Sequence, residues 1–139
     1  MIRNIFLLGL LVITLSNCSI HKLKKKGVYK ELPPQAYFEY VKDSSVYVID
    51  VRSSKEYEKS HIESALNVSY FGGHFRENFY DLNLDTTKTI LIHCQTQHRS
   101  LMVANKIHKA GFNTIIDLDK GMRVWIKNDF PVIKTDSLK

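Results

Sequence analysis

The chain has 139 residues, 44% of them apolar, and a formal net charge of +6 from 20 Lys and Arg against 14 Asp and Glu. That length supports one domain with a real core, and six Gly and three Pro exclude a collagenous or low-complexity chain. Two Cys are too few for a disulfide scaffold or a four-thiolate zinc site, and no run of about 20 apolar residues offers an ordinary membrane-spanning helix.

The first segment follows Arg3, where Ile5 to Leu15 is apolar apart from Gly9 and Thr14. It is too short to cross a bilayer comfortably and fits the core of an export signal. Leu15-Ser16-Asn17-Cys18 then resembles the lipobox of bacterial lipoproteins, whose Cys becomes the acylated first residue of the mature chain. An ordinary signal peptide, or an uncleaved anchor with Cys18 incidental, is the competing reading. On the lipoprotein reading residues 1–17 are a signal peptide and lipidated Cys18 holds the protein at a membrane, outside the cytoplasm. Ser19, in place of the Asp that retains lipoproteins at the inner membrane, favours the outer membrane or periplasmic face. Residues 18–27 form a basic tether. Lys22, Lys24, Lys25 and Lys26 would meet anionic head groups, or, as the favoured reading, simply keep a solvated spacer extended. No basic stripe or aromatic platform follows, which argues against nucleic-acid binding.

Residues 28–134 are expected to form the folded domain, with residues 135–139 as a tail. Val46 to Ile49 reads as a buried strand ending at Asp50, and Thr89 to Ile92 as another ending at His93 and Cys94. Thr114 to Ile116 is a third, ending near Asp117. Pro34 to Val41, Ser100 to Ala110 and Gly121 to Lys127 read as helices, the second with apolar Leu101, Ala104, Ile107 and Ala110 and a stop at Gly111. Trp125, Tyr57 and Phe112 are expected in or near the core. The aromatic segment Tyr70 to Tyr80 is either a binding rim or a connection followed by a short amphipathic helix. Continuous apolar strands alternating with helices predict an α/β fold with a parallel sheet covered on both faces, and sites in such sheets form at the strands' carboxyl ends.

The chemistry concentrates in His93-Cys94-Gln95-Thr96-Gln97-His98-Arg99-Ser100. A thiol ends a buried strand, four residues intervene, and an Arg stands at the start of a helix. Such a loop can aim backbone N–H groups at the sulfur, and the helix end and the Arg99 cation also favour the thiolate. The cradle would equally hold the outer sulfur of a persulfide. His93 and Cys94 should point to opposite faces of their strand, which argues against a shared metal, and no metal or cofactor is expected. His98 would stand near the pocket mouth. His61 reads as a structural hydrogen-bonder, and Asp50, Arg52 and Glu56 as an ion-pair network closing the first strand and its following helix rather than as acid–base catalysts.

Cys94-x4-Arg99 between strand and helix resembles the active-site loop of rhodanese-like sulfurtransferases. The ordered set Asp50-Val51-Arg52, Glu56-Tyr57, His61-Ile62, Ala65 and Asn67 is similar to the family's first signature. Ala110-Gly111-Phe112, Gly121, Trp125 and Pro131 are similar to its closing region, and Leu32-Pro33-Pro34 suits its opening strand and helix. The resemblance implies a three-layer α/β fold with a central five-stranded parallel sheet flanked by helices. It implies a sulfurtransferase in which Cys94 takes sulfane sulfur from a small donor such as thiosulfate or polysulfide, forms a persulfide and passes the sulfur to a thiophilic acceptor. Arg99 would orient the donor or the loop, and Gln95, Thr96, Gln97, His98 and Ser100 would surround the substrate. Gln95 and Gln97 stand where many active members carry a basic residue and a Gly, and a side chain at 97 resists a positive φ. A non-catalytic binding or sensing module on the membrane is therefore the alternative. Phosphatase or arsenate-reductase chemistry ranks last, because such relatives use a longer loop. No protein partner can be named from the sequence.

Overall fold

The computed structural model describes residues 18–134. Residues 18–25 form helix α1, followed by β1 (Tyr29–Leu32), α2 (Pro34–Val41), β2 (Tyr47–Asp50), α3 (Ser54–Lys59), β3 (Ser60–His61) and β4 (Ala65–Asn67). Then come α4 (Phe75–Asp81), β5 (Ile90–His93), α5 (His98–Lys109), β6 (Ile115–Leu118), α6 (Gly121–Lys127) and β7 (Ile133–Lys134). The main sheet has five strands in the order β1-β6-β5-β2-β4, and every neighbouring pair is parallel. β3 and β7 form a separate antiparallel pair. The architecture is an α/β fold with helices on both faces of a five-stranded parallel sheet, as expected.

Strand alternation divides the core. Ile49 and Val51 of β2 and its exit, Ile90 and Ile92 of β5 and Ile115 of β6 face one side, where Val103, Ala104 and Ile107 of α5, Phe75 and Phe79 of α4, and Ile20 and Leu23 of α1 cover them. Val48, Leu91, Ile116 and Leu118 face the other side, against Tyr37 of α2 and Met122 and Trp125 of α6. Each of these buried side chains contributes about 1.5–3 kcal/mol. Trp125 is fully buried, its indole N–H donates to Pro131 O at 2.9 Å, and its ring meets Tyr37 edge-on. Phe112 is buried as well, whereas Tyr57 is half-buried, stacked on His61 and bonded through its hydroxyl to Ala65 O.

One segment differs from expectation, and another was open between two readings. The basic segment after Cys18 is not an extended spacer: it is helical, with Ile20 and Leu23 buried. Its end is a Schellman turn, in which Val28 N–H bonds Leu23 O, Gly27 N–H bonds Lys24 O and Gly27 takes φ +71°. Lysines in the last turn suit the negative end of a helix. The Tyr70–Tyr80 stretch takes the second reading, a connection followed by a short helix. Phe75 and Phe79 are buried one helical turn apart in α4, while Phe71 stays 58% exposed beside the loop after β5. Residues 1–17, with the signal segment, and the tail 135–139 lie outside the described residues.

Candidate functional site

β5 lies in the middle of the sheet, and Cys94 is the first residue beyond it. His93 and Cys94 do diverge. His93 is buried among Tyr37 and Asp50, whereas Cys94 belongs to the core on the α5 side. The chain turns at Gln97, which takes a left-handed backbone (φ +78°), and enters α5 at His98, two residues before the expected start. A side chain in that conformation costs on the order of 1 kcal/mol. The position where relatives place Gly thus requires the positive φ, and here Gln supplies it.

The loop is pinned at both ends. Met122 N–H donates to Cys94 O at 2.8 Å and Arg123 N–H to Gln95 O at 3.1 Å. Gly121 permits that approach, since a Cβ there would stand 2.4 Å from Cys94 O. At the other end, Arg99 Nη1 and Nη2 donate to Glu56 Oε2 and Oε1 at 2.7 and 2.8 Å, and the guanidinium lies 5.3 Å from the Phe71 ring centre. Glu56 also closes a capping box at the start of α3 with Ser53. The Arg99 hydrogen bonds, helped by Ser53, hold the Glu56 carboxyl down to about 2, and the same pairing raises Arg99.

This departs from the expected ion-pair network in one respect. Asp50 and Arg52 do pair: Arg52 Nε donates to both carboxylate oxygens at 3.0 Å and Nη2 to Oδ2 at 2.7 Å. Glu56 is not their partner, because the capping box and Arg99 engage both of its oxygens. Instead His93 Nε2 stands 3.2 Å from Asp50 Oδ2, off the line of a formed hydrogen bond. Burial works against the Asp50 charge, yet His93 and Arg52 hold its carboxyl well below the usual range. Asn67 fastens the strand exit by donating to Asp50 O and Arg52 O. His61 Nδ1 meets Tyr57 O at 3.0 Å.

The sulfur is fully buried, and the hydrogen bond formed onto it comes from Ser100 Oγ at 3.7 Å. Among the described residues no N–H of Gln95 to Arg99 hydrogen-bonds Sγ, so the expected amide cradle is not formed. Arg99 is committed to Glu56 rather than to the thiol. Gln97 Oε1 accepts from Lys120 N–H at 3.3 Å, and Nε2 is buried with no hydrogen-bond partner among the described residues. Gln95 meets Arg52 Nη1 at 3.4 Å, and Thr96 Oγ1 meets the exposed His98 ring at 3.3 Å. Beside the loop a cleft of about 280 Å3 is lined by Arg52, Glu56, Lys59, Ser60, Gln95 and Ile126. The residue that sequence reasoning missed is Asp117, fully buried at the end of β6 and bonded by Tyr29 Oη at 2.7 Å.

Comparison with known proteins identifies the family and the fold. The model of the "Rhodanese-like domain" family matches residues 34–128. The thiosulfate sulfurtransferase GlpE of Coxiella burnetii is 30% identical over 98 residues, covering 70% of this chain and 88% of that protein. YrkF of Bacillus subtilis is 31% identical over 106 residues, 76% of this chain, and the chain spans only 55% of its length. Among solved structures, a rhodanese-related protein of Thermoplasma volcanium superposes with a TM-score of 0.65 at 25% identity, covering 76% of this chain and 98% of that one. The polysulfide-sulfur transferase homodimer of Wolinella succinogenes gives 0.63 at 23% identity, covering 81% and 85%, a likeness of fold. Because the family model covers residues 34–128, well over half of the chain, the chain belongs to the rhodanese-like domain family.

Proposed function

We propose that this protein moves sulfane sulfur as a persulfide on Cys94. The observation that carries the reading is the placement of Cys94: it ends the central strand and opens a loop pinned on one side by α6 and on the other by Arg99 and Glu56. A small sulfur donor would enter the cleft beside Gln95, where the exposed Lys59 brings positive charge that position 95 itself lacks. The Cys94 thiolate attacks the donor's outer sulfur, a new S–S bond forms, and the donor's own bond to that sulfur breaks with its electron pair leaving on the remainder. A thiophilic acceptor then attacks the outer persulfide sulfur and releases the Cys94 thiolate. Because Sγ is covered, attack requires the loop to lift away from the sulfur.

The buried sulfur, together with Gln95 and Gln97, also favours a second reading in which the domain binds or senses without turnover. One experiment separates them. Incubation with thiosulfate or polysulfide should add one sulfur to the intact mass of the protein and nothing to Cys94→Ser. Failure of both donors, and of a mercaptopyruvate-type donor, to add mass leaves the binding module. Export and anchoring through acylated Cys18 belong to the same proposal. They rest on the apolar run Ile5 to Leu15 before Cys18 and on the exposure of Cys18.

A further inference from the structure

Two large apolar side chains stay exposed at the ends of the Cys94 loop. Ile126 of α6 is 45% exposed and lines the cleft beside Gln95, where the loop begins. Phe71, in the connection between β4 and α4, is 58% exposed and lies against Arg99, where the loop ends. Glu56 joins the two regions, because it lines the same cleft as Ile126 and holds the Arg99 guanidinium. The Phe71 ring is held before any partner arrives. Tyr70 meets it edge-on at 5.7 Å, Arg99 lies over it, and the Phe71 N–H donates to Ser69 Oγ at 3.2 Å. A ring fixed in this way has little freedom left to lose on binding.

Charge at this rim is positive. Met122 and Trp125 of α6 are buried, whereas Arg123, Ile126 and Lys127, three and four residues apart, share its exposed face. Both charged residues of α6 are basic, and the N-cap residue Lys120 is exposed as well. Lys120 to Lys127 spans roughly 10 Å along the helix, and the exposed Lys59 adds a cation in the cleft itself. The carboxylate of the cleft, Glu56, is engaged by Arg99 and Ser53. A small thiol in the cleft of about 280 Å3 reaches Lys59 and Ile126. It does not also reach Phe71 and the row of cations on α6, and a peptide surface does.

We propose that this rim docks the sulfur acceptor as a segment of another protein, a cysteine with apolar neighbours and acidic flanks laid across the Cys94 loop. Phe71 and Ile126 receive the apolar neighbours, and Arg123, Lys127 and Lys59 the acidic flanks. Complementary charge speeds the encounter and turns away basic partners, while the two apolar side chains supply the dry centre of the contact. The inference rests on the sulfurtransferase reading for the use made of the docked cysteine. Its thiolate attacks the outer sulfur of the Cys94 persulfide, a new S–S bond forms on the acceptor, and Cys94 leaves as the thiolate.

The test uses the full chain carrying Cys18→Ser, which leaves Cys94 as its one thiol, and three peptides of equal length whose cysteine is activated as a 2-thiopyridyl disulfide. The Cys94 thiolate attacks the peptide sulfur, a mixed disulfide forms, and the thiopyridyl group leaves with the electron pair, takes a proton from water and is read by absorbance. The first peptide has Phe and Leu beside its Cys and Asp and Glu outside them. The second has Lys in place of the acids, and the third has Ser in place of Phe and Leu. The first should react at least about ten-fold faster than the second and about three-fold faster than the third. Salt at about 1 M, which shortens the Debye length to ~3 Å, should bring the acid preference close to one. Arg123→Glu combined with Lys127→Glu should remove that preference, and Phe71→Ser should remove the apolar one. Each readout is a ratio within one variant, so a change in thiol reactivity or loop opening, which acts on all three peptides alike, does not move it. Equal rates for the three peptides, ratios that the variants leave in place, or no reaction with any peptide each overturn the proposal. So does sedimentation of the Cys18→Ser chain with phosphatidylglycerol vesicles that Phe71→Ser abolishes, which would assign the rim to a membrane surface. No sulfur donor is present, so these outcomes are distinct from those of the persulfide mass experiment. A chain that prefers the acidic peptide and gains no sulfur keeps its docking rim and loses the sulfurtransferase reading, and equal peptide rates in a chain that gains sulfur do the reverse.

Discussion

Glu56 and Arg99 meet through two parallel hydrogen bonds, and the same carboxylate caps α3 through Ser53. One side chain therefore ties the helix after β2 to the loop after β5. Glu56 is held down to about 2, so its contribution is complete above the ordinary carboxylate value and is lost as pH falls through about 2. The pair is a third to a fifth exposed, which limits it to about 1 kcal/mol. Glu56→Gln should lower the urea unfolding free energy by about that amount. It should also raise the alkylation rate of Cys94 at pH 7 several-fold by freeing the loop; an unchanged rate would show that the pair does not hold the sulfur covered. At this scale the sequence is uneven as a guide. Cys94, Arg99 and the Asp50–Arg52 pair are readable because they fall within a few residues of a strand end. Asp117 is not, because its buried hydrogen bond with Tyr29 comes from register across β1 and β6, and nothing local to Ile115–Leu118 announces it.

Elements carry the loop as much as its own residues do. The first two N–H groups of α6 after Gly121 receive the carbonyls of Cys94 and Gln95, and the backbones can approach only because residue 121 has no Cβ. Gly121 also sits at φ +64°, so an alanine there is strained twice, by backbone conformation and by a 2.4 Å contact with a carbonyl oxygen. Gly121→Ala should cost about 2–4 kcal/mol in a urea titration and should displace the loop, read as faster Cys94 alkylation. A loss below about 1 kcal/mol would mean the contact is not tight. The elements that sequence reveals are those with enough length to show a period. β2, β5 and β6 are apolar runs, and α5 spaces its apolar residues at helical intervals. β4 is three residues long with Leu66 exposed, so its alternation is too brief to read, although Ala65 and Asn67 were visible as family positions. α1 is hidden for a different reason. Its lysines read as a charge run and outweigh Ile20 and Leu23, three residues apart, and the Gly27 stop.

At the scale of the molecule, α1 changes what an acyl group on Cys18 would do. An extended spacer would let the domain roam from a bilayer. Here Ile20 and Leu23 are buried against the α5 side of the sheet, and Lys24 is joined to Glu31 and lies over the Tyr29 ring. Cys18 is exposed, two residues from Ile20, a rise of about 3 Å along a helix. A lipid on Cys18 would then hold the folded domain close to the head groups, with Lys22, Lys25 and Lys26 exposed at the same end of the molecule. Attachment and packing are separable, because one depends on a thiol and the other on two apolar side chains. Cys18→Ala should move the protein from the membrane fraction to the soluble fraction and leave its urea midpoint unchanged. Leu23→Ala should lower stability by about 2 kcal/mol while the protein stays with the membrane. Retention of Cys18→Ala in the membrane would overturn the anchoring proposal, and an unmoved midpoint in Leu23→Ala would return residues 18–27 to the role of a detached spacer.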